Sequence, residues 1–306
     1  MSFFSLVIPV YNNEETIIRT LKSIKVQTYQ GWECILIDDS SNDGSISIVK
    51  NYISGDNRFI LLERKEYTNI AGANSCRNIG ISYSDYNWII FIDADDTLTS
   101  NCLANRRREI LENPLRDFYV FKTAIANDKG EINGEFTCKT ADISKLVYML
   151  YIHHIPWHTM SLVWDSKFLR NINGWNINFE RLQDVELNIR ALLNQPRLYF
   201  SDKPYDSIYW AGEMDTRKKR LARFGFCRLV KDYHFKILEE WPNDDEYSEK
   251  ISYASEQILN YHIQNYLCYE KKDPEWEELY LNALSDLLFS KKEIRISRNA
   301  FFKKND

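Results

Sequence analysis

Acidic and polar side chains follow three apolar segments near the N-terminus, and their positions predict a single binding site. These side chains are Tyr11, Asn12, Asp38, Asp39, Asp93, Asp95 and Asp96. Carboxylates packed together repel one another and are tolerated beside a divalent cation or hydrogen-bond donors. Oxygen ligands of this kind suit Mg²⁺ or Mn²⁺, which typically takes one or two carboxylates plus substrate phosphates. We therefore expect a cation and phosphate site, with capping of a helix or turn as the alternative role of each single aspartate.

Apolar strands and amphipathic helices alternate through residues 1–100 and would position these side chains. The predicted strands are Phe3–Val10, Cys34–Ile37, Phe59–Leu62 and Trp88–Ile92. The predicted helices are Glu14–Val26, capped by Asn12 or Asn13, a helix opened by Asp43 and Gly44, and Ala71–Tyr83. Strands that are apolar throughout and separated by helices indicate an α/β fold with a doubly wound, mostly parallel sheet and helices on both faces. Such sheets bind their ligands beyond the carboxyl ends of the strands.

The pattern changes after residue 100. Asp117–Ala126 and Glu131–Thr137 flank the turn sequence Asn127-Asp128-Lys129-Gly130 and predict a hairpin. Leu146–Trp164 is the longest uncharged run, but its three histidines and Pro156 make it unsuitable for a bilayer. The remaining predicted elements are a helix over Ile143–Tyr151, a strand over Met160–Trp164, a helix over Val185–Leu193 and charged helices beyond residue 215.

Composition disfavours several classes of protein. The 306 residues include 44 acidic and 39 basic side chains, a net charge of −5, so the chain lacks the basic excess of a general nucleic-acid binder. Six scattered cysteines without a CxxC pair fit a reduced cytoplasmic chain better than a disulfide scaffold or a zinc site. The N-terminus lacks the features of a signal peptide. A dinucleotide oxidoreductase is disfavoured because no GxGxxG follows the first strand, and a phosphoacceptor signalling domain because Asp93, Asp95 and Asp96 cluster.

Four segments occur in an order that points to a known family. They are Phe4–Asn12 with Glu14, Ile35–Gly44, Ala73–Gly80 and Ile90–Asp96. Together they resemble the motifs of the bacterial family 2 glycosyltransferases of the GT-A fold, and the last is similar to that family's DxD motif. Residues 156–200 resemble the acceptor half of the family more loosely. The resemblance implies a nucleotide-sugar-binding half over residues 1–100, an acceptor-binding half of the same domain over 101–213, and a helical C-terminal extension over 214–306.

The resemblance also implies a role for each motif residue. The nucleotide would contact Pro9, Val10, Tyr11, Asn12, Glu14, Asp38, Asp39, Arg77, Asp93 and Ala94. Within this set, Tyr11 would stack on the base, most often uracil in this family, and Asp39 would accept a hydrogen bond from it. Asp93 and Asp95 would hold Mn²⁺ or Mg²⁺ at the diphosphate. Arg77 would contact the diphosphate or the donor sugar, and an ion pair with Asp93 or Asp95 is its alternative role. Asn78 and Gly80 are interpreted as packing and turn residues.

Sugar transfer needs a general base, because an acceptor hydroxyl is a poor nucleophile until its proton is removed. The resemblance assigns this role to Asp184, with inversion at the anomeric carbon and no covalent intermediate. Gln183 stands where the family usually has Glu, so Glu180 and Glu186 are possible substitutes. Capping of the following helix is the structural alternative for Asp184.

Two further regions would complete the acceptor side. Trp157 and His158 would border the acceptor subsite, with core packing as the alternative for Trp157. Arg217 and Lys218 would lie on a lid that closes over the diphosphate, with a solvated helix start as the alternative. The expected partners are a nucleotide-diphospho-sugar, with UDP the usual nucleotide, and a glycan or lipid-linked glycan acceptor. The expected location is the cytoplasm, and the resemblance leaves open a homodimer and peripheral contact with the inner membrane face. A catalytically silent nucleotide-sugar-binding or glycan-binding protein of the same fold is the alternative function.

Overall fold

The computed structural model describes residues 3–138, 140–212 and 216–269, without the side chains of residues 216–220 and 263–269. Two compact units divide the chain, one ending at Asp215 and the other beginning at Thr216. The first is an α/β unit and the second is helical. Each is described separately below.

The α/β unit is built on a mixed sheet with the strand order β10-β6-β9-β4-β1-β2-β3. In chain order the unit contains β1 (Phe4–Val10), α1 (Ile17–Lys25), β2 (Trp32–Asp38), α2 (Ser45–Ile53), β3 (Phe59–Glu63), α3 (Ala73–Tyr83), β4 (Trp88–Phe91), β5 (Thr97–Leu98), α4 (Cys102–Glu112), β6 (Phe118–Val120), β7 (Thr123–Ala126), β8 (Ile132–Phe136), α5 (Ile143–Tyr151), β9 (Leu162–Asp165), α6 (Ser166–Asn171), α7 (Gln183–Leu193), β10 (Leu198–Phe200) and β11 (Ser207–Trp210). Strands β1 to β4 are parallel where they pair, and β9 runs antiparallel to β4 and β6. The predicted doubly wound, mostly parallel α/β fold is confirmed.

Strand β1 is buried on both faces because helices cover each side of the sheet. Its alternate residues Phe4, Leu6, Ile8 and Val10 share one core cluster with apolar residues of α1, α2 and α4. The opposite face of β1 lies against α3. Since neither face meets water, β1 and β2 are apolar almost throughout, as buried parallel strands usually are.

Helix α3 approaches β1 so closely that the contact requires a glycine. A Cβ atom at Gly80 would overlap the Cγ1 atom of Val7, and the branched valine side chain has little freedom to move aside. The prediction that Gly80 is a packing residue is therefore explained by the distance between this helix and the sheet. This contact places the N-terminus of α3 beside the carboxyl ends of β1 and β2.

A second sheet, with the order β5-β11-β7-β8, corrects one prediction from the sequence. The segment Asp117–Ala126, predicted as one hairpin strand, divides into β6 in the large sheet and β7 in the small one. Strands β7 and β8 do form the predicted antiparallel hairpin, and Gly130 adopts φ +81° in the turn. The prediction for residues 146–164 is also confirmed as helix, loop and strand, although β9 begins at Leu162 because a 3₁₀ turn occupies Thr159–Ser161.

Helix α1 begins later than predicted. Its N-cap is Thr16, which makes no side-chain capping bond, so the prediction that Asn12 or Asn13 caps it is wrong. The side chain of Asn13 instead accepts a hydrogen bond from the backbone amide of Tyr11 at 2.9 Å. This bond shapes the turn that follows β1.

The helical unit contains α8 (Thr216–Glu240) and α9 (Asp245–Tyr269), which pack against each other. Apolar residues of both helices are buried, among them Val230, Ile237 and Leu259. His234 Nδ1 and the hydroxyl of Ser255 form a buried hydrogen bond of 2.9 Å between the two helices. Among the described helices, none combines the length and the apolar character needed to cross a membrane.

Candidate functional site

A cleft of about 250 Å³ lies at the carboxyl ends of β1, β2 and β4, next to the N-terminus of α3. It is lined by Pro9, Val10, Tyr11, Asn13, Asp39, Ala73, Arg77, Asp93, Ala94 and Asp95. The loops after three separate strands therefore meet at one place, as expected for a parallel sheet. Asn13 and Ala73 are lining residues that sequence reasoning missed. Asn13 was predicted as a helix cap, and Ala73, the first residue of α3, has a methyl side chain that carries no chemical signal.

Asp39 is held in the cleft wall by partners on both carboxylate oxygens. The Nε–H of Arg64 donates to Oδ1, and the backbone amide of Gly72 donates to Oδ2 at 2.8 Å. The backbone amide of Asp39 donates to the carbonyl oxygen of Val10 at 2.8 Å, which ties the end of β2 to the end of β1. Gly72 adopts φ +115°, a conformation that favours glycine. The carboxylate is thus fixed in one orientation at the edge of the sheet.

Three other predicted nucleotide-binding residues connect the loops instead of lining the cleft. Asp38 accepts a hydrogen bond from the amide of Ser41 at 3.0 Å, Glu14 accepts one from Gly44 at 2.7 Å, and Asn12 accepts one from Asn42 at 2.9 Å. Glu14 and Asn12 join the loop after β1 to the loop after β2. Asp38 bonds within the loop after β2. For Asp38, the structure favours the alternative role of capping a turn.

Arg77 places a buried guanidinium in the wall of the cleft. Its Nη2–H donates to Asp93 Oδ1 at 2.6 Å, and its charged group lies 4.3 Å from the ring centroid of Trp175. The Nε and Nη1 groups are buried and have no hydrogen-bond partner among the described residues. Buried polar groups are normally paired. These N–H groups are therefore unused donors in the cleft wall, and the predicted ion pair with Asp93 is present at the same time.

The charges around Asp93 favour its ionised form. Burial acts to raise the pKa of this carboxyl, but the Arg77 guanidinium and then His158 outweigh it and hold the pKa below its usual value. Arg181 adds to the same effect from the segment before α7. Sequence reasoning did not single out Arg181, which carries no motif of its own.

Asp96 and His158 lie behind Asp93. One carboxylate oxygen of Asp96 accepts the amide of Trp210 at 3.0 Å, and the other, which is buried and has no hydrogen-bond partner, lies 3.9 Å from His158 Nδ1. Burial, followed by the charges of Asp93 and Asp95, raises the pKa of Asp96 well above its usual value. Oxygen and nitrogen atoms of Asp93, Asp96 and His158 lie within 4.8 Å of one another. These three residues form a donor set of the kind that binds a divalent cation, and Asp95 lines the adjoining cleft.

Asp184 lies in the first turn of α7. The N-cap of this helix is Leu182, which has a left-handed backbone with φ +58°, so Asp184 is not the cap that the alternative interpretation required. The charge of Asp184 is among the causes that act on the pKa values of His153 and His158, so Asp184 lies near both imidazoles. Burial is the main cause that lowers both imidazole pKa values below 6.5.

The two predicted substitutes for Asp184 are in different surroundings. Glu186 is fully buried and pairs with Arg190 through both carboxylate oxygens, at 2.8 and 2.9 Å. Arg190 also donates to the carbonyl oxygens of Ile172 and Gly174, so this pair secures the backbone before α7. Glu180 is exposed. The geometry therefore favours Asp184 over Glu186 as a group that can meet an acceptor.

Two asparagines of α3 connect the cleft to the segment that leads to Asp184. The Nδ2 group of Asn74 donates to the carbonyl oxygens of Asn176 and Phe179 at 2.7 and 2.9 Å. Asn78 donates to the carbonyl oxygen of Trp175 and accepts from its amide, both at 2.8 Å. Asn78 is thus a packing residue, as predicted, while the role of Asn74 was missed because its partners lie about a hundred residues away in the chain.

The remaining predicted acceptor residues have four different surroundings. Trp157 is 1% exposed and packs near Phe118 and Phe200, so core packing, the alternative, is its role here. His158 stacks on Tyr209 with 4.6 Å between ring centroids. Gln183 is partly exposed at the start of α7. The side chains of Arg217 and Lys218 lie outside the described residues.

Comparison with known proteins agrees with this geometry. Residues 5–169 match the family described as Glycosyl transferase family 2. Glycosyltransferase GlyA of Streptococcus pneumoniae is 31% identical over 93% of this chain and 33% of its own length. The UDP-Glc:alpha-D-GlcNAc-diphosphoundecaprenol beta-1,3-glucosyltransferase WfgD of Escherichia coli is 28% identical over 61% of this chain and 69% of its own length. The chain spans between a third and a half of the length of the first curated relatives that it matches.

A solved structure shows the same fold. Staphylococcus aureus TarS, residues 1–349 in complex with UDP-GlcNAc, superposes with a TM-score of 0.66 at 20% sequence identity, covering 94% of this chain and 80% of that one. The match to the family covers more than half of the present chain, and its GT-A fold agrees with the sheet described above. The chain therefore belongs to glycosyl transferase family 2.

Proposed function

We propose that this protein transfers a sugar from a UDP-sugar to a hydroxyl group of a glycan or lipid-linked glycan, with inversion at the anomeric carbon. The observation that supports the proposal is the single cleft that brings Tyr11, Asp39, Arg77, Asp93 and Asp95 together. An aromatic ring, a fixed carboxylate, a guanidinium and two further carboxylates are the groups that a nucleotide diphosphate with a cation requires.

The nucleotide end of the cleft would be recognised by Tyr11 and Asp39. Tyr11 is 57% exposed, so its ring is accessible for stacking against a base. Asp39 presents an oriented acceptor to an N–H group on the edge of the base. Uracil carries such a group, as thymine and guanine do. The choice of UDP among them rests on the relatives, since WfgD is named for UDP-Glc and TarS was solved with UDP-GlcNAc.

The diphosphate would lie between Arg77 and the carboxylates after β4. The unused Nε and Nη1 donors of Arg77 would bind phosphate oxygens in a charge-assisted contact. Asp93 and Asp95 would hold Mn²⁺ or Mg²⁺, with Asp96 and His158 close by as further ligands. When bound, the cation would neutralise the charge that develops on the leaving nucleoside diphosphate.

Asp184 would serve as the general base. A carboxylate that receives the proton of the acceptor hydroxyl while the anomeric bond breaks makes that oxygen an effective nucleophile. Glu186 cannot take this role while both of its oxygens are paired with Arg190. Attack from the face opposite the leaving group gives an inverted product.

The acceptor class is inferred from the relatives. The name of WfgD gives UDP-Glc as its donor and an undecaprenol-linked GlcNAc diphosphate as its acceptor. We extend from this an acceptor of the lipid-linked or polymeric glycan class to the present chain. Peripheral contact with the cytoplasmic membrane face and a homodimer remain predictions.

One observation favours a second function. Gln183 stands beside Asp184 where the family usually has a glutamate, so the chain lacks one carboxylate at the expected place. A catalytically silent protein that binds a nucleotide sugar would keep the cleft and lose turnover.

Thermal unfolding with added ligands tests the binding proposal. We expect UDP and UDP-sugars to raise the melting temperature more than GDP or dTDP compounds do, and Mn²⁺ to increase this shift. In Asp95→Ala the Mn²⁺-dependent part should vanish. Release of UDP from a UDP-sugar with an added glycan acceptor then separates the two functions, because the silent protein would show the shift without turnover. No shift with any nucleotide would contradict both.

A further inference from the structure

Arg64 lies at the carboxyl edge of the sheet, directly after β3. Its side chain is 5% exposed and contacts two segments, residues 39–40 and Thr68. The Nε–H donates to Asp39, Nη1–H donates to the carbonyl oxygen of Thr68 at 2.7 Å, and Nη2–H donates to the hydroxyl of Ser40 at 3.2 Å. The guanidinium itself is not among the groups that line the cleft, whereas Asp39 is. Any effect of Arg64 on a ligand is therefore indirect, either through Asp39 or through the loop that Arg64 stabilises.

The partners of Asp39 determine which of its lone pairs remain. Arg64 binds Oδ1 and the amide of Gly72 binds Oδ2, so each oxygen makes one hydrogen bond from the side of the protein. An ionised carboxylate has about four acceptor positions, and two are left for a ligand in the cleft. Arg64 also supplies the positive charge that a carboxylate with only 11% exposure needs. Without the guanidinium, the carboxylate would lose both its orientation and its counter-charge.

We propose that Arg64 is a positioning residue that holds Asp39 for recognition of the nucleobase and thereby makes the cleft prefer uracil to cytosine. This inference rests on the proposed UDP-sugar function. A fixed acceptor pairs with the ring N–H of uracil. Cytosine presents a ring nitrogen lone pair at the same position, and two acceptors facing each other repel. The diphosphate is identical in UDP and CDP, so the preference arises only at the base.

A purely structural role for Arg64 predicts a different pattern. If the guanidinium only stabilised the loop of residues 64–72, its loss would weaken UDP, CDP and pyrophosphate together. If it positions Asp39, its loss weakens UDP alone and leaves pyrophosphate binding unchanged. The ratio of the UDP and CDP dissociation constants therefore distinguishes the two roles.

The test uses the full chain with Mg²⁺ and titration calorimetry with UDP, CDP and pyrophosphate. Arg64→Gln removes the charge and the fork of donors, and Arg64→Lys keeps the charge. We expect Arg64→Gln to weaken UDP binding by about tenfold or more, the size of a lost charge-assisted hydrogen bond. In Arg64→Gln the ratio of the CDP to the UDP dissociation constant should fall towards one, and the affinity for pyrophosphate should be unchanged. In Arg64→Lys this ratio should lie between those of Arg64→Gln and the unchanged chain.

A matched control comes from the opposite edge of the same sheet. Arg58, just before β3, makes an ion pair of 2.6 Å with Asp56 and lies outside the cleft lining. Arg58→Gln should leave all three affinities unchanged. Asp39→Asn combined with Arg64→Gln should bind UDP no more weakly than Asp39→Asn alone, because both changes remove the same contact.

Each outcome has one meaning. An unchanged UDP/CDP ratio in Arg64→Gln, an equal loss of pyrophosphate binding, or additive losses in the double variant would overturn the inference. If Arg64→Gln does not fold, the UDP/CDP ratio of Arg64→Lys decides, and a ratio equal to that of the unchanged chain overturns the inference. Failure of the unchanged chain to bind any nucleotide would reject the proposed function itself. UDP affinity that is the same with and without Arg64 would reject only this inference.

Discussion

The loops that line the nucleotide side of the cleft and the segment that carries Asp184 are built differently. On the nucleotide side, Asp39, Asp38, Glu14 and Asn12 each bond to backbone within one strand-end region, so the loops after β1 and β2 fix each other. On the other side, Asp184 stands in the first turn of a helix that has no side-chain cap. Its position depends on the segment before it, which is held from outside by α3.

The difference shows that the α/β unit positions its side chains in two ways. The nucleotide side is ordered locally, by side chains close in sequence or at neighbouring strand ends. The Asp184 side is ordered at long range, through the bonds of Asn74 and Asn78 to residues 175–179. Changes on the first side should therefore act on nucleotide affinity, and changes on the second should act on the rate of transfer.

Asp184→Asn should produce the largest effect. A general base contributes about 10²–10⁴-fold to rate, and asparagine keeps the shape of aspartate while losing the ability to accept a proton. We expect sugar transfer to fall by that order while the dissociation constant of UDP stays the same. Initial rates of UDP release and calorimetric titration measure the two quantities.

Glu180→Gln is the matched control for Asp184→Asn, since Glu180 is an exposed carboxylate in the same segment. Its transfer rate should match that of the unchanged chain. A collapse of transfer in Glu180→Gln with full activity in Asp184→Asn would move the base to Glu180.

Asn74→Ala should have an intermediate effect. It removes two hydrogen bonds to the backbone of residues 176–179 and leaves buried carbonyl groups without partners, a loss of about 1–3 kcal/mol in the free energy of unfolding. The transfer rate should fall while UDP affinity is retained. Asn113→Ala, which removes one bond at the end of α4 away from the cleft, should change neither quantity. Equal losses of UDP affinity and transfer in Asn74→Ala would contradict the division between the two sides.

A change in pH should have a smaller effect, which we expect at the two histidines near Asp184. Burial lowers the pKa values of His153 and His158 below 6.5, so the folded chain binds fewer protons there than the unfolded chain does. Stability from these groups is therefore present at neutral pH and declines as the pH falls below 6.5. Beside His158, the lowered pKa of Asp93 keeps that carboxylate ionised through the same range.

Hydrogen exchange at pH 7, 6 and 5, corrected for the intrinsic exchange rate, measures this difference. Protection of the amides in residues 159–162 should decline before protection of those in residues 35–39. Simultaneous loss of protection in the two segments would contradict the assignment of acid sensitivity to the histidines.

Prediction from the sequence succeeded where structure follows from local pattern. The apolar strands and the polar residues behind them indicated one cleft, because the ends of parallel strands share an edge of the sheet. It failed at the N-terminus of α1, where Asn13 caps nothing and bonds instead to Tyr11. A helix cap and this turn both use the asparagine side-chain oxygen to accept a nearby backbone N–H. The sequence alone does not distinguish them, because the surrounding fold decides which one forms.

Long-range contacts account for most of what the sequence did not reveal. The break between β6 and β7 assigns adjacent residues to two sheets, and sheet membership depends on partner strands far along the chain. Arg64 lies 25 residues from Asp39, and no local motif marks that pair. The roles proposed here for Asp39 and Asp184 came from the family resemblance, while Arg64 and Asn74 required coordinates.

The contact between Gly80 and Val7 has a consequence for anyone who diversifies this protein. Random libraries aimed at new donor specificity will naturally include the motif over Ala73–Gly80. Position 80 should be kept as glycine in such libraries, because a larger residue there would push α3 away from the sheet and misplace Arg77 before any new specificity could be selected. A paired library that shortens Val7 at the same time would open that position to variation.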